Sequence, residues 1–174
     1  MRKVNVVGGP GSGKTSFSKQ VANTLGVEFL ELDAVNWQKN WKSLEVAKFV
    51  ERIESFLDDN PSGWVIDGSY KHVIGSVVVD AADTIVFLRI PLIISVPRVA
   101  RRSFQRIVSK QLLWGTNRES IKGALNLLWW TIKFHRRRIR KMKEIAKELE
   151  TKDTVYKEFR SNRQARKWLY NDAK

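Results

Sequence analysis

The sequence predicts an α/β fold in which helices cover both faces of a parallel sheet. Short β-branched runs alternate along the chain with longer amphipathic stretches, which is the order that a parallel sheet requires. A glycine-rich loop lies between the first such run and the first helical stretch. With 174 residues and no long linker, the chain has the size of one domain, so we expect a single domain over residues 1–174.

The first half of the chain predicts three strands and two helices. The run at 43–57 has apolar residues at helical spacing, and Ser43 is a plausible N-cap for it. We expect, in order, a strand at 3–7, a helix at 14–25, a strand at 28–32 ending at Asp33, a helix at 43–57 and a strand at 64–66 ending at Asp67.

The second half predicts longer helices. Pro97 lies inside the first of them, so we expect a kink or a later helix start there. We expect, in order, a strand at 84–90, a helical stretch from Pro91 to about 113, a break at 114–117, a helical region at about 119–150, a strand at 154–159 and a helix from a Ser161 cap to about 170.

Composition excludes several classes of protein. The chain has no cysteine, which excludes disulfides, thiolate metal sites and a thiol nucleophile, and two histidines are too few to suggest a zinc site. No apolar run is long enough to predict a membrane span. Because the chain also starts directly into a strand, without an apolar signal segment, we expect a cytoplasmic protein.

Charge is distributed unevenly along the chain. The formal net charge is +14, but residues 1–88 hold nine Lys/Arg and eleven Asp/Glu, whereas residues 89–174 hold 23 and seven. A cationic half of this kind suits phosphorylated ligands, nucleic acid or an anionic membrane, and it is also compatible with a solvated basic face.

Residues 8–15 read Gly-Gly-Pro-Gly-Ser-Gly-Lys-Thr, a full match to the phosphate-binding loop G-x-x-x-x-G-K-[ST]. Such a loop turns its backbone N–H groups toward a β-phosphate, while Lys14 places a cation near the β/γ oxygens and Thr15 offers a hydroxyl to Mg²⁺. The sequence therefore predicts a site for ATP and Mg²⁺. We assign to nucleotide binding Gly8, Gly9, Pro10, Gly11, Ser12, Gly13, Lys14, Thr15 and Ser16.

Two aspartates stand at the predicted ends of strands. In an open parallel sheet the ligand crevice lies outside the carboxyl ends of the strands, so Asp33 and Asp67 should converge with the phosphate loop. Asp67 follows an apolar run in the form of a Walker B acid and is our candidate Mg²⁺ residue together with Thr15. Asp33 could accept a proton from an acceptor hydroxyl, or bind Mg²⁺ or the acceptor. Either aspartate could instead simply cap a turn or a helix.

Arginines recur at helical spacing after the fourth strand. Arg98, Arg101 and Arg102, with Arg106, could neutralise charge around the γ-phosphate, and we assign the first three to catalysis together with Lys14 and Asp33. A solvated basic helix face is the alternative.

The densest cationic run is at 135–141 and follows three aromatic residues. Aromatic residues beside arginines can stack on the bases of single-stranded nucleic acid. We favour a stripe facing the core for most of the apolar residues before the run, which are Ile121, Leu125, Leu128, Trp129 and Ile132. For the arginines of the run, phosphate contact and plain surface both remain open.

With these motifs the chain resembles the adenylate-kinase-related P-loop proteins often named DNA topology modulation proteins. The resemblance covers nearly the whole chain. It rests on residues 8–15, Leu32-Asp33 with Trp37, residues 64–70, residues 83–88, Pro91, Arg98 with Arg101-Arg102, residues 136–140 and Arg160-Ser161.

This resemblance implies a P-loop NTPase fold with five parallel strands in the order 2-3-1-4-5 and a basic, helical, lid-like region at about 98–150. It also implies ATP and Mg²⁺, and we place Arg136, Arg137 and Arg160 with the nucleotide. The expected activity is transfer of the γ-phosphoryl group to a small acceptor such as a nucleoside, a nucleotide or another metabolite. A nucleotide-dependent protein that binds nucleic acid and affects DNA topology, and a plain NTPase, are the alternatives.

Overall fold

The structure, a computed structural model, describes residues 1–172 and is organised around a five-stranded sheet. The strands are β1 (Lys3–Gly8), β2 (Glu28–Glu31), β3 (Trp64–Asp67), β4 (Thr84–Leu88) and β5 (Val155–Phe159). Their spatial order is β2-β3-β1-β4-β5, and every neighbouring pair is parallel. This confirms the predicted parallel sheet and its order 2-3-1-4-5.

Nine α-helices connect the strands within the described residues. They are α1 (Lys14–Leu25), α2 (Leu32–Asn36), α3 (Val46–Asp59), α4 (Lys71–Ile74), α5 (Val77–Ala81), α6 (Leu92–Val108), α7 (Ile121–Lys133), α8 (His135–Leu149) and α9 (Asn162–Asp172). Two short antiparallel hairpins pair Trp37–Gln38 with Lys42–Ser43 and Leu112–Leu113 with Asn117–Arg118. A 3-10 turn, Lys39–Trp41, lies inside the first hairpin.

Each face of the sheet has its own core, because side chains alternate along a strand. On β3, Trp64 and Ile66 pack with Phe49 of α3 and with residues of α8, whereas Val65 packs with Phe17 of α1 and with residues of α9. Helices therefore cover both faces, as the sequence predicts.

Two predicted boundaries in the first half are wrong. Strand β2 ends at Glu31, and Asp33 lies in the first turn of α2 rather than at a strand end. The chain turns there because Leu32 enters the core, fully buried, with its side chain beneath Gly68. Helix α3 begins at Val46, and Ser43 is not its cap, because Ser43 pairs with Trp37 in the first hairpin.

The predicted helices of the second half differ in extent from the observed ones. Helix α6 begins at Leu92 and runs through Pro97, so of the two predicted outcomes, a kink or a later start, the later start is wrong. The helix also ends at Val108 rather than at about 113. Pro97 removes one backbone donor, and its partner in the helix would be the carbonyl of Ile93, an exposed residue that water can reach. The helical region at 119–150 breaks at Phe134, whose φ of −95° and ψ of 3° end α7 before α8 begins.

The two hairpins are bound to each other. The backbone N–H of Trp41 donates to Asn117 Oδ1 at 2.8 Å, and Asn117 Nδ2 donates to the carbonyl of Gln38 at 3.1 Å. The Trp41 indole donates to the Arg118 carbonyl at 3.0 Å and meets the ring of Trp114 edge to face. These contacts fix the α6–α7 connection against the segment that follows α2.

Candidate functional site

The phosphate loop joins β1 to α1, and its shape depends on two glycines with positive φ. Gly11 has a φ of 73°, and a Cβ there would lie 2.3 Å from the Ser95 carbonyl oxygen of α6. Gly13 has a φ of 84° and is the N-cap of α1, whose first turn closes with Phe17 N–H donating to the Gly13 carbonyl at 3.0 Å. The sequence therefore builds a close-fitting loop that ends at a helix N-terminus, which is a ready anion site.

At the end of the loop, two residues contact the buried acid of β3. Thr15 Oγ1 donates to Asp67 Oδ2 at 2.5 Å, and Lys14 Nζ lies 3.7 Å from Asp67 Oδ1. Asp67 is 1% exposed. Burial raises the pKa of the Asp67 carboxyl, while the Lys14 charge and the Thr15 hydrogen bond act in the opposite direction.

These oxygens fit a magnesium ion. Asp67 Oδ1 is buried and has no hydrogen-bond partner, and the Thr15 hydroxyl lies against the other carboxylate oxygen. Among residues 1–172 no group of three or more His, Cys, Asp or Glu side chains could form an all-protein metal cage. Mg²⁺ bound to a nucleotide needs only one or two protein oxygens, because phosphates and water supply the rest. Thr15 and Asp67 remain the predicted Mg²⁺ residues.

A second carboxylate, Glu31, stands beside Asp67. The last residue of β2 is in register with the last residue of β3, which pairs Glu31 with Asp67. Burial and the charge of Asp67 raise the pKa of the Glu31 carboxyl. Glu31 was not among the predicted site residues, although its position two residues before Asp33 at a strand end is the signal that could have identified it.

Asp33 is joined by a hydrogen bond to a second polar side chain, Tyr70. The Tyr70 hydroxyl donates to Asp33 Oδ1 at 2.6 Å, and burial together with the Asp33 charge raises the pKa of Tyr70. The Asp33 and Glu31 charges also act on the guanidinium of Arg102 on α6, although the Arg106 and Glu119 charges act on it more strongly. Burial and the Arg106 charge lower the pKa of Arg102, and its buried Nε has no hydrogen-bond partner. We call Asp33, Tyr70 and Arg102 the acceptor-side cluster.

The other predicted arginines of α6 lie in different places. Arg98 reaches the loop indirectly, because its Nη1 donates to Asn162 Oδ1 at 2.8 Å and Asn162 Nδ2 donates to the Ser12 carbonyl at 2.7 Å. Arg101 is exposed. Arg160, the residue after β5, is also exposed, with its Nε 3.9 Å from a Glu158 carboxylate oxygen. Among these three, Arg98 is the one that the structure links to the loop.

The arginine of α8 that meets the loop is Arg138. Its Nη1 lies 2.7 Å from the position a Cβ would take on Gly9, and its Nη2 is buried with no hydrogen-bond partner. Its guanidinium also stacks on the Trp130 ring, with Cζ 5.0 Å from the ring centre. The predicted neighbours Arg136 and Arg137 are exposed. The five cations at 136–141 are equivalent in the sequence pattern, so the inward position of Arg138 could not be predicted from it.

The site thus joins a phosphate loop, a buried acid suited to Mg²⁺ and a separate acceptor-side cluster at one edge of the sheet. Comparisons with known proteins agree with this reading of the fold. Residues 4–85, less than half of the chain, match the model of the family described as ATPase family associated with various cellular activities (AAA). The sequence matches no curated protein.

Two solved structures share the architecture over nearly the whole chain. One is a shikimate kinase from Acinetobacter baumannii in complex with shikimate, with 17% identity, a TM-score of 0.52 and coverage of 100% of this chain and 96% of that one. The other is an unliganded sugar kinase from Janibacter sp. HTCC2649, with 18% identity, a TM-score of 0.53 and coverage of 98% and 93%. These comparisons confirm the predicted P-loop NTPase fold, and the narrower resemblance to DNA topology modulation proteins stays a prediction.

Proposed function

We propose that this protein is an ATP-dependent kinase that transfers the γ-phosphoryl group to a hydroxyl or phosphate oxygen of a small acceptor. The observation that carries the proposal is the presence of two polar sites at one sheet edge. The phosphate loop with Asp67 suits the nucleotide, and the acceptor-side cluster suits a second ligand. A plain NTPase needs only the first of these sites.

On the nucleotide side, the loop N–H groups and the α1 N-terminus bind the phosphates, and Lys14 neutralises charge as it moves toward the leaving oxygen. Arg138 adds a cation beside Gly9, and its buried Nη2 has no hydrogen-bond partner, so this guanidinium is our candidate for a further phosphate contact. Thr15 and Asp67 would hold Mg²⁺. When bound, that ion neutralises negative charge on the β- and γ-phosphates.

On the acceptor side, Asp33 takes the proton of the acceptor hydroxyl as its oxygen attacks the γ-phosphorus. The bond between that phosphorus and the β–γ bridging oxygen breaks, and ADP leaves with the bond electrons. Tyr70 orients the Asp33 carboxylate through its 2.6 Å hydrogen bond. Arg102, whose Nε has no partner, binds negative charge on the acceptor or on the transferring group.

Support for a small acceptor comes from the two structural neighbours, which are a shikimate kinase and a sugar kinase. We infer that the protein uses ATP in the cytoplasm, and that Arg138 of the basic half serves the phosphates of the nucleotide. Within the described residues no helix is both long and apolar enough to cross a membrane.

A screen for stimulated ADP release tests the proposal. The purified chain is given ATP and Mg²⁺ with nucleosides, nucleoside monophosphates, sugars and hydroxy acids in turn. We expect one chemical class to raise ADP production well above the rate without acceptor and to appear as a phosphorylated product. Steady ADP release that no acceptor changes would instead identify a plain NTPase.

The Asp33→Asn variant then tests the assignment of the second site. We expect it to lose acceptor-stimulated ADP release by a factor of about 10² to 10⁴, the usual contribution of a general base, while ATP binding persists. The control is Asp58→Asn, which changes an exposed carboxylate on α3 and should leave both properties unchanged. Loss of ATP binding in Asp33→Asn would contradict the assignment.

A further inference from the structure

Helices α6 and α7 bury small side chains and expose large apolar ones. The buried residues of α6 are Ser95, Val99 and Ser103, and those of α7 are Ala124 and Thr131. Of the fifteen large hydrophobic side chains that are exposed in the described part of the chain, ten lie at 93–132. The distribution is the reverse of that expected for a helix in water.

The exposed side chains form continuous stripes. On α7 they recur at intervals of four, four and three residues, which places them on one face of the helix. We define the apolar face by six residues, which are Phe104 (68% exposed) and Val108 (66%) on α6 and Ile121 (69%), Leu125 (61%), Trp129 (56%) and Ile132 (53%) on α7. The predicted core-facing stripe at 121–132 is therefore wrong. Contiguous exposed apolar surface of this kind marks a binding surface.

The segment that carries the apolar face is rich in cations and poor in acids. Residues 89–143 contain fifteen Lys/Arg and a single Asp/Glu, Glu119. That carboxylate faces inward, where it accepts from the Ser103 hydroxyl and pairs with Arg106 at 3.4 Å. On α7 itself, Lys122 and Lys133 flank the stripe, and Lys133 Nζ lies 4.2 Å from the centre of the Trp129 ring. The apolar stripe of α7 thus has a cation near each of its ends.

This combination discriminates among possible partners. A second copy of the chain would bring a second strongly positive surface against the first, and like charges repel. A nucleic acid would satisfy the cations but would leave the aliphatic side chains in water. An anionic bilayer satisfies both, because its headgroups attract Lys and Arg while its acyl boundary accepts apolar and Trp side chains.

We propose that α6 and α7 lie flat on a bilayer rich in anionic phospholipid, with the apolar face immersed at the boundary between headgroups and acyl chains. A span is excluded by length, since a helix needs about 20 apolar residues to cross and α7 has 13. On its buried side α6 contacts Gly11 through Ser95 and Val99, so this arrangement brings the phosphate loop close to the membrane surface.

Vesicle flotation tests the proposal directly. The purified chain is mixed with phosphatidylcholine vesicles that contain either no phosphatidylglycerol or about one third of it. We expect binding to the anionic vesicles to be at least tenfold tighter and to weaken with added NaCl, because surface charge is screened within about 8–10 Å at these ionic strengths. Equal binding to the two vesicle types, or no binding to either, would overturn the proposal.

Two pairs of variants separate the apolar and the cationic contributions. Leu125→Gln with Trp129→Gln should weaken binding to anionic vesicles at least tenfold, whereas Val46→Gln changes an exposed apolar residue of α3 and should not. Lys122→Glu with Lys133→Glu should also weaken binding, and the charge-matched control is Lys48→Glu with Arg52→Glu on α3. Thermal melting of each variant establishes that it is folded.

Insertion is measured independently of these variants by quenching of Trp fluorescence with brominated acyl chains. The wild-type chain should be quenched in anionic vesicles, and Trp129→Phe should reduce the quenched fraction. Vesicle binding that survives the Leu125→Gln and Trp129→Gln pair would show surface charge alone and overturn the insertion. If the wild-type chain is a dimer and the Leu125→Gln and Trp129→Gln pair dissociates it, the surface binds a second copy instead. If the chain binds DNA with a steep salt dependence that this pair leaves unchanged, the surface serves nucleic acid instead.

Discussion

Helices α3 and α7 have a similar spacing of apolar residues, but α3 buries these residues and α7 exposes them. On α3 the apolar residues Phe49 and Ile53 are fully buried against the sheet. On α7 the corresponding residues Ile121 and Leu125 are 69% and 61% exposed. Spacing at three and four residues defines an apolar face in both helices, but only the position of the helix relative to the sheet decides whether that face meets a core. The difference shows that an amphipathic pattern specifies a face and leaves its partner open.

The largest effect should be on the free energy of unfolding, when one apolar side chain is truncated on the buried face of α3 and one on the exposed face of α7. Phe49→Ala removes a fully buried ring and should lower the free energy of unfolding by about 3–5 kcal/mol. Leu125→Ala truncates an exposed side chain and should change it by about 0.5 kcal/mol or less. Urea unfolding of both variants measures the contrast, and similar losses would mean that α7 packs against a core after all.

A cation of the phosphate loop and a cation of α7 should differ as strongly in their effect on phosphoryl transfer. Lys14→Ala should lower phosphoryl transfer by a factor of about 10² to 10³ with little change in stability, because the ammonium stabilises charge that develops in the transition state. Lys122→Ala removes an exposed cation of α7 and is the control. Steady-state ADP production and thermal melting are measured for both. If folded Lys14→Ala keeps full turnover, the phosphate loop is not the site of chemistry.

One residue of the basic region should nevertheless act with the loop. Arg138→Gln should weaken ATP binding by a factor of about 10 to 100, since a hydrogen bond to a charged group contributes about 1.5–3 kcal/mol. Arg137→Gln, an equal change at the exposed neighbour, should have little effect. Titration calorimetry with ATP compares the two variants, and equal losses would show a general charge effect rather than a contact at Gly9.

The smallest of these effects concerns an acid that holds the start of β1. Asp83 Oδ2 accepts from Arg2 N–H at 2.6 Å and Lys3 N–H at 2.9 Å. Burial alone would raise the pKa of Asp83, but the hydrogen bonds together lower it. A lowered pKa in the folded state means that this stability is present above the unfolded pKa of about 4 and is lost as pH falls through the folded value.

Asp83→Asn should therefore lower the free energy of unfolding by about 1–2 kcal/mol at pH 7, and the gap to wild type should shrink below about pH 4. Asp58→Asn provides an exposed control. Because residues 89–143 hold a single Asp/Glu, that segment should contribute little to acid sensitivity. A gap that stays constant from pH 7 to pH 3 would contradict the assignment to ionised Asp83.

The fold and the site could be predicted from the sequence where interactions between neighbouring residues decide the structure. The phosphate loop needs positive φ at Gly11 and Gly13, so its glycines and its flanking strand and helix could be predicted together. The order of the five strands followed from the family resemblance, and the convergence of Asp67 with Lys14 and Thr15 followed from parallel strand ends. In these cases spacing along the chain fixes spacing in the fold.

Prediction failed where tertiary contacts decide between neighbouring residues. The run at 135–141 offers several equivalent cations, and the inward position of Arg138 depends on where α8 crosses the loop. Glu31 becomes part of the site only through its register with Asp67. The role of Tyr70 depends on α2 turning Asp33 toward it, which required the early end of β2.

The Asn162 side chain has a consequence for the order of assembly. Its hydrogen bond to the Ser12 carbonyl joins residues 150 positions apart. Ribosomes add about 5–20 residues per second, so roughly 8–30 s separate the synthesis of the two partners. Until then the nascent loop lacks this anchor, and it also lacks the link through which Arg98 reaches it. Contacts of such long sequence separation form late and slow the folding of a chain. The loop, among the first segments to be made, would therefore be among the last to reach its final form.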